Sequence, residues 1–343
     1  MTPRAAIIGL SGPDLTAEEA ALLRARPPAG AILFARNVVE PAQLRRLADD
    51  IRGILGATAP ILVDQEGGRV ARLRPPHWDR FPPAAALEGA PDPAVHANAL
   101  LLGAACAAAG LDVVCAPVLD LRLPGAHGVI GDRALSADPA EVARIGAAWV
   151  AGLQAGGAIP VVKHIPGHGR ATADSHHELP RVAAPPRDLD ADIAPFRALA
   201  RSGAWAMTAH VLYEAWDAAL PATISRAVIQ DIIRGAIGFD GVLVTDDIAM
   251  GALAGASNDL ADASLAAGCD LVLHCTGRIA DTAALLAACP PLSDRAAERM
   301  AAARLARDAL YGRDPALLRA LRDAALDARA AAPPGDDPTA RPA

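Results

Sequence analysis

The sequence almost lacks lysine: of its 32 basic residues, 31 are arginine and one is Lys163. It is also poor in aromatics, with four tryptophans, two tyrosines and four phenylalanines in 343 residues. Ten rings cannot build a long stacking platform for an extended polymer. No apolar run approaches the roughly 18 residues that span a bilayer, so a membrane partner is not expected. A basic excess is missing too. The formal net charge is −7, and nucleic-acid phosphates need a basic footprint. The five cysteines (Cys106, Cys115, Cys269, Cys275 and Cys289) are odd in number and form no CxxC pair. They read as reduced core thiols of a cytoplasmic protein, not as a disulfide framework or a metal site. No Gly-rich loop of the Rossmann or Walker type follows an apolar run, so no nucleotide cofactor is indicated.

What is present is a long, ordinary globular sequence. Hydrophobic residues make up 52% and charged residues 21%, and a chain of this length buries a sizeable core without staples. Apolar, β-branched runs predict strands at Ala5–Leu10, Ala31–Phe34, Ile61–Val63, Asp112–Ala116, Ile159–Lys163, Ala204–Ala209, Val242–Thr245 and Leu271–His274. Amphipathic stretches lie between them, among them Ala17–Arg26, Pro41–Gly56, Pro93–Ala109, Pro139–Ala155, Asp190–Arg201, Arg226–Ala236 and Asn258–Ala267. Several open on proline or an Asp/Ser cap. Eight alternations of strand and helix predict an α/β fold, a single-domain (β/α)8 barrel of the TIM type over residues 1–330. Arg295–Arg329 reads as C-terminal helices packed on it. Residues 331–343 are too polar and Pro-rich to pack and are expected to be disordered. A monomer is expected. The six-residue stretch Ala5–Leu10 reads as a strand rather than a leader.

Asp64, Asp120, Lys163, His210, Asp246 and His274 lie at or just past the ends of different strands, and a barrel gathers such ends on one face. Two loops there are long, Pro117–Ser136 and Ile165–Pro186, as functional loops tend to be. The densest polar segment, KHIPGHGRATADSHHE over residues 163–178, carries the only lysine and four of the nine histidines. Flanking glycines make His168 a turn histidine, hydrogen-bonded within its loop. Asp174 and His176 are two apart, so in an extended loop the carboxylate can orient the imidazole and raise its pKa for acid/base work. Metal binding by these histidines lacks HExxH or HxH spacing. In VLVTDDIAM, Asp246 and Asp247 both qualify as a positioned carboxylate, while Asp247 can equally cap the next turn or bind a basic group. In VDQEGGRVAR, Asp64 can accept two hydroxyls of a polyol, whereas Arg69 and Arg74 read as surface arginines of a polar turn. A fourth segment is VIGDR, over residues 129–133.

These segments together, VDQEGGRVARL, VIGDRALS, VVKHIPGHGRATADSHHELP and GFDGVLVTDDIAMGAL, resemble the β-N-acetylhexosaminidases of glycoside hydrolase family 3, in particular their single-domain bacterial peptidoglycan-recycling branch. KHxPGHG followed by DSH is specific to that branch. The resemblance spans about Ala5 to Leu310. It implies Asp246 as nucleophile, His176 as general acid/base and Asp174 as its partner. It further implies sugar contacts at Asp64, Arg72, Arg133, Lys163 and His164, with neither metal nor cofactor. The implied reaction is exo-cleavage, with retention, of a terminal N-acetylglucosamine from 1,6-anhydromuramyl peptides, through a glycosyl-aspartate. Thr245-Asp246-Asp247-Ile248-Ala249-Met250-Gly251 departs from the commoner Ser-Asp-Asp-Leu-Ser-Met-Glu only in packing positions. Rival readings are a phosphorylase, since histidine repels phosphate less than glutamate does, a non-catalytic sugar-binding barrel, and a metal-dependent barrel hydrolase. Against an arginine-rich background, Lys163 is expected to be a substrate contact.

Overall fold

Each predicted strand run is buried on both faces, which is why it reads as continuous apolar sequence rather than alternation. In the computed structural model, which describes residues 2–125, 128–175, 178–307 and 314–326, these runs close into a barrel. Its strands are β1 (Arg4–Gly9), β2 (Pro28–Leu33), β3 (Ile61–Val63), β4 (Val113–Val114), β5 (Ile159–Ile165), β6 (Trp205–Thr208), β7 (Leu243–Asp247) and β8 (Leu271–His274). They follow one another around the barrel, all parallel, and β1 closes it by pairing Ala6 with Val272 and Ile8 with His274. The predicted (β/α)8 architecture is present.

Helices α1 (Ala17–Ala25), α2 (Pro41–Leu55), α3 (Asp92–Ala108), α4 (Pro139–Ala155), α5 (Pro186–Ala198), α6 (Ser257–Ala267), α7 (Ile279–Ala288), α8 (Asp294–Leu305) and α9 (Pro315–Leu326) surround it. Five of them, α2 to α5 and α9, carry proline in the first turn, where its missing N–H has no partner to lose. That preference moves the start of α5 to Pro186, four residues before the expected Asp190. The stretch expected as an ordinary helix up to Ala236 is instead wound as a π-helix over Val228–Ala236. Its wider hydrogen bonding shows in Ile237 N–H donating to the Ile232 carbonyl. Arg181–Val182 and Leu212–Tyr213 form a small parallel ribbon outside the barrel.

The inward side chains form their own cluster, from Ile7 and Ile32 to Trp205 and Leu273, and Met300 and Ala303 of α8 join it. With the bridge between Arg4 and Pro291, α8 therefore stoppers the end of the barrel where the strands begin. All five cysteines are buried free thiols. Among the described residues no helix is long and apolar enough to cross a membrane. The predicted tail, 331–343, lies outside the described residues.

Helices α3 and α4 approach closely because glycine lines their seam. A Cβ at Gly152 would lie 2.5 Å from the His96 carbonyl, and one at Gly156 2.5 Å from that of Leu100. Gly152→Leu is therefore expected to destabilise the fold by about 1–3 kcal/mol, read as a lower urea midpoint with an unchanged slope.

Candidate active site

The strand ends open on a cavity of about 590 Å³, counted to its open mouth. Its polar wall is Asp64 past β3, Lys163 and His164 in β5, His168 and Ser175 in the following loop, and Asp246 in β7. Ile32, Phe34, Met207 and Leu273 make an apolar floor. The pairing register of β5 with β6 slips between Lys163 and Ile165. The neighbours Lys163 and His164 both reach the cavity as a result, although strand alternation would send them to opposite sides.

Lys163 is only 2% exposed, and its ammonium bridges two carboxylates, Asp64 Oδ1 at 3.0 Å and Glu66 Oε1 at 2.7 Å. Behind them, Arg133 grips Glu66 with two parallel bonds of 2.9 Å, and Arg72 donates to Asp64 Oδ2 at 3.1 Å. Burial works against charge on Asp64, Glu66, Arg133 and Lys163, and the pairing overrules it. Lys163 and Arg72 hold the Asp64 carboxyl far below the ordinary range. Arg133 and Lys163 hold Glu66 down to about 2. The same two carboxylates push Lys163 well above its ordinary value. The result is a dry, fully ionised lattice whose donors and acceptors are fixed before any sugar arrives.

A second network stands beside it. Asp120 is buried just past β4, and its Oδ2 lies 2.6 Å from His164 Nδ1. Its Oδ1 accepts the backbone N–H of His164 at 3.1 Å and that of His168 at 2.6 Å. Gly169 lets this turn lie flat on the β4 exit, since a Cβ there would fall 2.3 Å from the Leu121 carbonyl. The His168 ring packs edge-on to that of His164, with centroids 5.7 Å apart. Contrary to the expectation of a hydrogen-bonded turn histidine, neither of its ring nitrogens has a partner among the described residues. Burial pulls its pKa down to about 4, so the ring is neutral near pH 7.

Asp246 is half-buried at the end of β7, and the N–H of Asp247 donates to its Oδ1 at 2.8 Å. The two aspartates left open by the sequence separate here. Asp247 is buried, and its Oδ1 accepts from the N–H groups of Ala249 and Cys275 at 3.1 Å each. It caps the turn and ties β7 to β8; both aspartates line the cavity, but Asp247 is buried with Oδ1 committed to backbone N–H groups, whereas Asp246 is half-buried. Asp174 is half-buried in the loop after β5. His176 lies outside the described residues. Among those residues, no group of three or more His, Cys, Asp or Glu stands close enough to hold a metal ion.

Several expectations change. Arg72 does not line the cavity; it stands behind Asp64 with its guanidinium near the Phe34 ring. Arg133 lines the wall but spends its fork on Glu66. Arg69 is no surface arginine, because it binds Asp132 at 2.7 Å and the carbonyls of residues 128–130. Arg74, by contrast, is exposed as expected, and donates to the carbonyls of Ala71 and Arg69. Of the six strand-end residues, His210 is buried between Thr223 and the Asp247 carbonyl, and His274 is buried elsewhere. Glu66 was missed altogether. Its only sequence signal is an acid directly before Gly67-Gly68, and its partner lies 67 residues away.

The chain is similar to known proteins in sequence and fold. The profile of the glycosyl hydrolase family 3 N-terminal domain matches residues 6–306. A β-hexosaminidase of Alkalilimnicola ehrlichii is 42% identical over 280 residues, 78% of this chain and 80% of its own. That of Pseudomonas aeruginosa is 39% identical over 287 residues, covering 82% and 85%. Among solved structures, NagZ of Neisseria gonorrhoeae in complex with N-trifluoroacetyl-D-glucosamine superimposes with a TM-score of 0.84 at 32% identity, covering 95% of this chain and 98% of its own. A family 3 β-N-acetylglucosaminidase of Paenibacillus gives 0.79 at 34% identity, covering 96% of this chain and 62% of its own. The chain belongs to glycosyl hydrolase family 3 and is a glycoside hydrolase of its β-hexosaminidase branch.

Proposed function

We propose that the protein is an exo-acting, retaining β-N-acetylhexosaminidase that frees terminal N-acetylglucosamine from peptidoglycan fragments such as N-acetylglucosaminyl-1,6-anhydromuramyl peptides. The observation that carries this reading is one cavity lined together by Asp246, the pre-ionised Asp64–Lys163 pair and His164. Such a lining reads hydroxyls of a single sugar, and the shortage of aromatics supports recognition of one terminal residue rather than a polymer. Asp64 and Lys163 are the direct sugar contacts with His164; Arg133 and Arg72 act by holding Glu66 and Asp64 in place.

In the first step an Asp246 oxygen attacks the anomeric carbon. The bond to the leaving oxygen breaks, and that oxygen takes a proton from His176, which Asp174 orients. In the second step His176 removes a proton from water, water attacks the same carbon, and the bond to Asp246 breaks. Two inversions give net retention. Five buried thiols favour a cytoplasmic site of action, and a monomer meets every need of this chemistry.

The test compares an aryl N-acetylglucosaminide with the matching aryl glucoside, with and without phosphate. The acetamido sugar is expected to turn over at least about tenfold faster, a margin of roughly 1.4 kcal/mol, with free sugar as product. Equal rates would defeat the hexosaminidase reading. Acceleration by phosphate with sugar 1-phosphate as product would replace hydrolysis by phosphorolysis.

A further inference from the structure

We infer that Asp120 is a positioning residue for the sugar site, acting through His164. It rests on the proposed sugar contact of His164. Asp120 is almost fully buried and spends both carboxylate oxygens on one turn of chain, three bonds in all. An ionised carboxylate only accepts, so the proton on the shared bond belongs to His164 Nδ1. His164 and His168 beside it keep the Asp120 carboxyl below its ordinary range despite burial, so it remains an acceptor near pH 7.

Of the two neutral tautomers, the bond to Asp120 selects the one with its lone pair on Nε2, and His164 lines the cavity. Asp120 thus makes His164 an acceptor for a sugar hydroxyl, complementing Lys163, which is a donor. The same carboxylate sets the ring's rotation and, through the His168 N–H, the root of the loop that carries Asp174. The two polar networks of the cavity therefore divide the work: the Asp64–Lys163 lattice fixes charge, and Asp120 fixes which end of an imidazole meets the substrate.

The tests are kinetics on an aryl N-acetylglucosaminide for Asp120→Asn, His164→Ala and the double variant, with nitrogen-15 spectra of the histidine rings. Wild type is expected to show the His164 ring, assigned as the signal lost in His164→Ala, protonated at Nδ1 and bare at Nε2. Asp120→Asn is expected to raise KM about tenfold or more with a smaller change in kcat, and to disturb that tautomer. In the His164→Ala background the same change is expected to shift KM less than threefold, because its effect travels through the ring. An Nε2-protonated His164 in wild type overturns the inference without any variant, as does additive behaviour in the double variant. An Asp120→Asn enzyme with unchanged KM, beside an impaired His164→Ala, overturns it and leaves the sugar contact standing. An unimpaired His164→Ala instead removes the sugar contact itself. If Asp120→Asn does not fold, the wild-type tautomer decides.

Discussion

Alanine at Asp246 is expected to lower kcat on an aryl N-acetylglucosaminide by about 10⁴–10⁶-fold, the range found when a nucleophile is deleted. The loss should be almost purely catalytic. Asp246 is half-buried, and among the bonds it would vacate is the one it accepts from the N–H of Asp247. Losing one such acceptor costs about 1 kcal/mol, so the melting temperature should fall by only a few degrees. A 5-fluoro N-acetylglucosaminide that leaves rapidly and hydrolyses slowly should label the wild type on Asp246. A label on another residue, or none, would overturn the proposed covalent step. A melting temperature that collapses with activity would move Asp246 from chemistry to scaffolding.

Removing the ammonium of Lys163 is expected to have the largest effect on stability. Lys163→Met keeps the length of the side chain but removes the cation shared by Asp64 and Glu66, leaving Asp64 to Arg72 and Glu66 to Arg133 in a wall with little access to water. Breaking a buried ion pair on one side destabilises by about 3–5 kcal/mol when the other charge is left uncompensated; with the two arginines still in place that range is the upper bound of the loss, which denaturant titration at pH 7 would measure. The sign of the pH dependence follows from the same pairings. Asp64 and Glu66 titrate lower in the folded protein than in the unfolded chain. Their contribution is therefore complete above the ordinary carboxylate range and is lost as pH falls towards about 2. Lys163 titrates higher when folded, so its share holds through neutral pH and fades only in strong base. Without the cation, burial favours the protonated carboxyls, and acid unfolding of Lys163→Met should begin at a higher pH than in wild type. A variant with the wild-type acid midpoint would mean the three groups are not coupled. Lys163→Arg keeps the charge but brings a planar fork where a compact ammonium bridges two oxygens; it should hold most of the stability and bind the sugar more weakly.

Much of this was legible beforehand, for identifiable reasons. Strands buried on both faces leave unbroken apolar runs, so all eight were visible, and their ends pointed to Asp64, Lys163 and Asp246. Boundaries were less visible where neighbours set them: β4 pairs over only Val113–Val114 within the expected Asp112–Ala116. The π-winding of Val228–Ala236 leaves no mark in apolar spacing. In the site, residues whose role is to hold another residue were hardest to read. Glu66 takes its meaning from Arg133 and Lys163, both distant in sequence. Arg72 came only with the family resemblance, and its place behind Asp64 needed coordinates. Asp247 looked interchangeable with Asp246 until its carboxylate was seen accepting from two backbone N–H groups.

The closing seam between β1 and β8, stoppered by α8, has a consequence for how the protein is made. The first strand leaves the ribosome at residues 4–9, but its barrel partner is residues 271–274. At about 10 residues per second, β1 waits roughly half a minute for the neighbour that completes its pairing. Until then the free edge of β1 stays open to other chains. As β2, β3 and the later strands add in order, the open sheet keeps the outer edge of β1 and that of its newest strand, and α8 seals the base only after all eight strands have emerged.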